Sequence, residues 1–186
     1  MSPFLVVALP RSGTAWLSCA LNCHHELSGK CETMGELIRE SGGAGNCDPC
    51  GALIVEPLAA AIPDLKIVYL VRDYEECLFS FSRVSGLTVN QCKPAFSLMQ
   101  SRMKSAMDSR PGMVIRYSEL QNMGSMWRLW GYLHPGCEFP EPHFEKMMTL
   151  RIEQNPALIR NAALHGGKSV ITAILHEQIS DNTVLA

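Results

Sequence analysis

The sequence predicts an α/β protein in which a parallel β-sheet is flanked by helices, giving three layers. Two observations predict this fold class. Short apolar runs alternate with segments whose apolar residues recur every three or four positions, as in helices that pack on a sheet. The run FLVVAL at 4–9 is apolar throughout, which is typical of an interior strand covered on both faces. Strands separated by helices favour parallel pairing.

The predicted elements alternate along the chain. Strands are predicted at 4–9, 52–57 (ALIVEP), 66–73 and 112–120. Helical patterns occupy 14–23, 58–63, 75–84, 95–109, 123–133 and 144–164, the last with a break at Pro156. The segment 27–51 combines a short helical pattern with a glycine-rich loop, where we expect the most mobile backbone, and the apolar segment 169–179 fits either type of element.

Length and composition narrow the classes of function. The 186 residues predict one domain spanning 1–186, and a net charge of −2 gives no global attraction to nucleic acid or to an acidic membrane. No apolar run is long enough for a membrane span or a signal peptide, so we expect a cytoplasmic protein. Its eight cysteines are therefore expected to be thiols.

The turn after the first predicted strand has the composition of a phosphate-binding loop. In LPRSGTAWL, residues 9–17, a strand ends and a helix opens, so the backbone amides of Ser12 to Trp16 point towards one place at a helix N-terminus. Gly13 permits close approach of a ligand, and Arg11 adds a permanent positive charge. The lysine and the magnesium-binding hydroxyl that follow the glycine in ATP- and GTP-hydrolysing proteins are missing, which argues against a nucleotide kinase.

These residues resemble the sulfotransferases that use 3′-phosphoadenosine 5′-phosphosulfate (PAPS). Their 5′-phosphosulfate loop has a proline, a basic residue, Ser-Gly-Thr, a small residue and Trp, as in PRSGTAW here. Their second motif is a strand ending in Arg-Asp or Arg-Asn with a serine eight positions after the arginine, as in VYLVRDYEECLFS. A third, VIRYSELQ, resembles the strand that ends in Arg-Tyr-Glu-Asp-Leu in that family. The resemblance covers about residues 4–133 and implies the P-loop-type sulfotransferase fold.

The resemblance also implies a set of cofactor-binding residues. One group holds the 5′-phosphosulfate, a second holds the 3′-phosphate, and aromatic residues contact the adenine. The first group is Arg11, Ser12, Gly13, Thr14 and Ala15, the second is Arg72 and Ser80, and the aromatic residues are Trp16 and Tyr117. Ala15 lacks the hydroxyl that many relatives have there, and the Arg-Lys-Gly loop that closes over the 3′-phosphate in cytosolic members has no convincing counterpart.

The implied reaction moves a sulfuryl group from PAPS to a hydroxyl or amine of a small molecule or saccharide, without a required metal. Arg11 is the predicted catalytic cation, because it can stabilise the charge that grows on the bridging oxygen. Glu56, expected at the end of the second strand, is the first candidate for the base. His25, next to His24, is the second, because a histidine titrates near neutral pH.

Two other possibilities stay open at this point. The chain could be a PAPS-binding module of the same fold that has lost catalysis, given Ala15 and its short length, with a nucleotide kinase relative less favoured. Cys47 and Cys50 form a Cys-x-x-Cys that could bind zinc together with Cys23, Cys31 and the neighbouring histidines. No second paired element at finger spacing supports zinc, and unligated thiols are the favoured prediction.

Overall fold

The computed structural model describes residues 3–23 and 45–150. Four parallel strands form one sheet in the order β2-β1-β3-β4. The strands are β1 (Phe4–Ala8), β2 (Asn46–Asp48), β3 (Lys66–Val71) and β4 (Met113–Arg116). The helices are α1 (Thr14–Leu21), α2 (Val55–Ala61), α3 (Tyr74–Ser85), α4 (Val89–Ser109), α5 (Met123–Leu133) and α6 (Glu141–Thr149). The predicted α/β class with a parallel sheet flanked by helices is confirmed.

The alternation of side chains along β1 divides the core into the two faces of the sheet. Phe4, Val6 and Ala8 pack with α1, α5 and α6, whereas Leu5 and Val7 pack with α2 and α4. All five side chains are buried. A strand covered on both faces is continuously apolar for this reason, which is why the first strand was readable from the sequence.

The predicted strand at 52–57 is wrong. These residues form a 3-10 turn, Gly51–Leu53, followed by α2. Their apolar character comes from packing against the sheet, since Ile54, Val55 and Leu58 are buried against Leu5 and other residues of that face. Pro57 is tolerated because it stands in the first turn of α2, where an amide has no partner within the helix.

The second strand instead lies at Asn46–Asp48, in the segment expected to be loop. Asn46 and Asp48 are polar yet fully buried, so no apolar pattern marks them as a strand. β2 pairs with β1 on one side and forms an edge of the described sheet.

Several further boundaries differ from the prediction. β4 ends at Arg116 rather than 120, and α6 begins at Glu141 rather than 144 and ends at Thr149. α4 begins at Val89 rather than 95, and Pro94 lies inside it. The helix at 123–133 has the predicted bounds. The predictions for 24–44 and for the chain after Leu150, including His24, His25 and Cys31, lie outside the described residues. Within the described ranges, no helix has the length and apolar character needed to cross a membrane.

Candidate functional site

The candidate site is built on the turn between β1 and α1. Arg11 and Gly13 both have left-handed backbone conformations, with φ of 72° and 93°. The amide of Ser12 donates to the Leu9 carbonyl at 3.2 Å, which closes the turn. Ser12 and Thr14 are buried beneath it. Gly13 is the N-cap of α1, so the turn leads directly into the N-terminal end of that helix, where the helix dipole favours an anion.

Glycine is required at position 13 by its surroundings as well as by its conformation. A Cβ atom there would lie 2.8 Å from Leu120 Cδ1 and 3.1 Å from Tyr117 Cε2. Both neighbours belong to the segment that follows β4, so the loop after one strand is packed against the turn after another. This packing fixes the position of the loop relative to the carboxyl edge of the sheet.

The second predicted motif lies at the neighbouring strand tip. β1 and β3 pair in parallel with Ala8 opposite Leu70, so the residues that follow both strands meet at one edge. Arg72 comes directly after β3, and Asp73 caps α3 by accepting a hydrogen bond from the Glu76 amide at 2.9 Å. That cap sets the direction of α3 and places Ser80, two turns along, beside the loop.

Direct hydrogen bonds join the two motifs. Arg11 Nε donates to Ser80 Oγ at 3.2 Å, and Arg72 Nη1 donates to the Arg11 carbonyl at 2.8 Å. Arg72 Nε also donates to Glu76 Oε2 at 3.0 Å. Residues that are 61 to 69 positions apart in sequence thus form one cluster at the carboxyl edge, which is where open parallel sheets bind their ligands.

Tyr117 completes this cluster from the third strand tip. Its ring lies 4.0 Å from Arg72 Cζ in a cation–π contact, and 42% of the residue is exposed. The ring therefore covers one face of the guanidinium and leaves an aromatic surface open to solvent next to it.

The electrostatics of the cluster favour an anion. Burial lowers the pKa of Arg11, and the positive charge of Arg72 lowers it further. A guanidinium nevertheless stays protonated at neutral pH, so two cations are held close together. Glu76 offsets part of this charge, but it is 60% exposed, and solvent screens its effect. A phosphate or sulfate group would relieve the repulsion between the two arginines.

Trp16 contacts α6. Its Nε1 donates to the Met147 carbonyl at 3.1 Å, which ties α1 to α6. The indole is half-buried against the core of that face. Ala15 lies in the first turn of α1, and its carbonyl accepts a hydrogen bond from Ser18 Oγ at 2.9 Å.

Glu56 does not lie where the sequence placed it, at a strand end beside the loop. It stands in the first turn of α2, where Oε1 accepts from Ser109 Oγ at 2.6 Å and Oε2 accepts from Arg110 Nε at 2.9 Å. Ser109 and Arg110 precede β4 and hence lie at the amino edge of the sheet, opposite the loop. The hydrogen bond from Ser109, and to a smaller extent the one from Arg110, lower the pKa of Glu56. The carboxylate has a structural partner and no access to the loop.

The thiols do not assemble a metal centre in the described part of the chain. No group of three or more His, Cys, Asp or Glu side chains suited to a metal ion occurs in residues 3–23 and 45–150. Cys47 and Cys50 pack in different clusters, and Cys23 Sγ lies 3.7 Å from Cys47 Sγ. The candidate ligands His24, His25 and Cys31 lie outside the described residues.

Sequence reasoning missed two contributors to the cluster. Glu76 is not among the residues predicted for the site, although its spacing of four from Arg72 is a signal for an ion pair. Cys77 Sγ lies 3.4 Å from Ser12 Oγ and is fully buried, so it supports the loop from below. This contact depends on how α3 packs against the loop, and no local sequence pattern predicts that packing.

Comparison with known proteins agrees with this architecture. No protein-family model matches the chain, and no curated protein matches it in sequence. Among solved structures, the fold matches that of mouse sulfotransferase SULT7A1, which was crystallised in complex with PAP, with a TM-score of 0.52 and 16% sequence identity. The match covers 79% of this chain but only 63% of that protein. At this level of identity the likeness establishes the fold alone, and the fold of this chain is sulfotransferase-like.

Proposed function

We propose that this chain binds PAPS, or its product 3′-phosphoadenosine 5′-phosphate (PAP), at the cluster formed by the β1 and β3 tips. The loop from Arg11 to Ala15 would hold the 5′ end, and Arg72 with Ser80 would hold the 3′-phosphate. The activity we propose is transfer of the sulfuryl group to a hydroxyl or amine of a small molecule or saccharide.

One observation carries this proposal: the two motifs meet through the Arg11–Ser80 and Arg72–Arg11 hydrogen bonds. A nucleotide with phosphates at both ends of its ribose needs two separate anion sites a few ångströms apart. Adjacent strand tips with one arginine each would provide them. The PAP bound to mouse SULT7A1 is consistent with such a ligand in a related fold.

Two aromatic residues are candidates to contact the adenine. Tyr117 is 42% exposed beside Arg72, so a base that packs against the open part of its ring would adjoin the 3′-phosphate site. The indole N–H of Trp16 is already used by the Met147 carbonyl, so Trp16 would offer only the face of its ring.

The proposed chemistry depends on Arg11. Transfer breaks the S–O bond of the phosphosulfate and forms a bond from sulfur to the acceptor, so negative charge grows on the bridging oxygen. A fixed donor at that oxygen is worth about 3 kcal/mol of barrier. Arg11 stays charged and would stabilise the leaving group without giving up a proton. A base must take the acceptor proton, and with Glu56 at the opposite edge, His25 is the remaining sequence candidate.

The direct test is ligand-dependent thermal stability. PAP should raise the melting temperature more than ADP or AMP at equal concentration, because binding stabilises the folded state by mass action and only PAP fills both anion sites. Arg72→Ala should abolish the preference for PAP. Arg110→Ala is the matched control, because Arg110 also pairs through Nε with a glutamate but lies at the amino edge. Equal responses to the three nucleotides would contradict the proposal.

A binding module without catalysis is the second candidate, and the position of Glu56 favours it. The carboxylate expected as the base is bound elsewhere, and the chain spans less than two thirds of mouse SULT7A1. Incubation with ³⁵S-labelled PAPS and a panel of phenols, alcohols, amines and saccharides separates the two functions. Labelled product indicates a sulfotransferase, whereas saturable PAP binding with no product indicates the module.

A further inference from the structure

We propose that Cys23 and Cys47 are a modification site: a low-molecular-weight disulfide such as oxidised glutathione converts them to an intramolecular disulfide. Their Sγ atoms are 3.7 Å apart. A disulfide requires about 2.05 Å, so the two sulfurs need to approach by about 1.7 Å. Cys23 follows α1, and Cys47 is the central residue of β2, so the bond would link α1 to the neighbouring edge strand.

The structure selects this pair over the Cys-x-x-Cys pair that the sequence suggests. Cys47 is buried on the sheet face that packs against α1, and Cys23 borders the same cluster. Cys50 packs instead against the cluster formed by α3 and α4. Its amide donates to Asp48 Oδ1 at 2.7 Å, which holds the turn after β2 in place. Pairing Cys47 with Cys50 would require this turn to rearrange.

Accessibility sets the order of the two steps. Cys23 is partly exposed, so its thiolate attacks oxidised glutathione, the glutathione S–S bond breaks, and one glutathione thiol leaves. The Cys47 thiolate then attacks Cys23 Sγ, and the bond from Cys23 to glutathione breaks. In total the two cysteines lose two protons and two electrons, which appear in two molecules of reduced glutathione. Burial raises the pKa of the Cys47 thiol, so the second step should be the slower one and should speed up with rising pH.

Peptide mapping of the folded protein tests the proposal. After incubation with oxidised glutathione, alkylation of free thiols and digestion with trypsin, cleavage after Arg11, Lys30, Arg39 and Lys66 separates fragments 12–30 and 40–66. The two fragments should be found cross-linked, and fragmentation in the mass spectrometer should place the bond at 23 and 47. Dithiothreitol should remove the link. Closing a loop of this length should also raise the melting temperature, on the order of 5 °C.

Matched variants decide between the possible partners. Cys50→Ser should leave the cross-link in place, whereas Cys23→Ser should abolish it. A cross-link that survives Cys23→Ser would overturn the assignment and point to Cys19, the other cysteine of fragment 12–30. A Cys47–Cys50 bond, or a stable glutathione adduct on Cys23 with no cross-link in the wild-type protein, would also overturn it.

Discussion

Gly13 is the residue on which the shape of the candidate site depends most directly. We expect Gly13→Ala to destabilise the protein by about 2 kcal/mol, because a left-handed conformation costs an alanine about 1–2 kcal/mol and the new methyl group would press on Leu120. Urea unfolding measures the effect. Gly131→Ala is the control, since Gly131 lies in α5 with no atom within 4 Å of its added Cβ, and it should stabilise the protein by about 0.5–1 kcal/mol. A Gly13→Ala protein that is as stable as the wild type would contradict this account of the loop.

Glu76 should weaken anion binding at the proposed nucleotide site. Its carboxylate lies 3.0 Å from Arg72 Nε and would repel a phosphate bound to the same guanidinium. We expect Glu76→Gln to tighten PAP binding about two- to five-fold at low salt, with the gain shrinking as salt screens the charge. Titration calorimetry at two ionic strengths checks this, with Glu75→Gln as the control on the same helix. Weaker binding in Glu76→Gln would show instead that Glu76 orients Arg72.

The resemblance to the PAPS-dependent sulfotransferases named Arg11, Arg72, Ser80 and Tyr117 together. The structure brings these four side chains into one cluster, and their role in binding stays a proposal. Glu56 was misplaced because its apolar neighbours fit a strand and a helix equally well. A short apolar run has no periodicity that separates the two.

At the scale of elements, the start of α4 shows how capping can outweigh a proline. Thr88 Oγ1 accepts from the Gln91 amide at 3.3 Å, and Gln91 Oε1 accepts from the Thr88 amide at 2.9 Å, which forms a capping box. Pro94 then costs one hydrogen bond inside the helix. The Thr-x-x-Gln pattern is present in the sequence, but the predicted start at 95 rested only on the apolar spacing of residues 95–109.

We expect Thr88→Ala to lower the free energy of unfolding by about 1 kcal/mol, because the substitution removes the hydroxyl that accepts from the Gln91 amide. Thr149→Ala is the control: among the described residues its hydroxyl donates to the Lys146 carbonyl at the exposed end of α6, so the change should stay within about 0.5 kcal/mol. Equal effects of the two substitutions in urea unfolding would argue against a stabilising cap at α4.

At the scale of the whole molecule, the sequence predicted the class of fold but not the complete sheet. Alternating strands and helices imply parallel pairing, and the sheet has that pairing throughout the described residues. β2 could not be recognised in the sequence because Asn46 and Asp48 are polar residues that are nevertheless buried in the sheet. The strand therefore has no apolar pattern. Which strands are neighbours is decided by long-range packing, which local periodicity does not record.

The stability of the whole fold should depend on pH through His134, which packs against Phe4 of β1 and Trp130 of α5. It is only 5% exposed, and among the described residues neither of its ring nitrogens finds a hydrogen-bond partner. Burial, and then the charge of Lys66, lower its pKa from 6.5. The unfolded chain therefore binds the proton more readily than the native protein does, so the free energy of unfolding should be fully retained above pH 6.5 and decrease as the pH falls below it.

Urea unfolding of the wild type and of His134→Phe between pH 8 and pH 5 tests this linkage. Phenylalanine keeps an aromatic ring between the two neighbours and cannot take up a proton, so its stability relative to wild type should improve steadily below pH 6.5. Carboxylates titrate near pH 4 in unfolded chains, so they contribute little in this range. Parallel stability curves for the two proteins would mean that His134 is as easily protonated in the folded protein as in the unfolded chain, and that its burial does not oppose the charge.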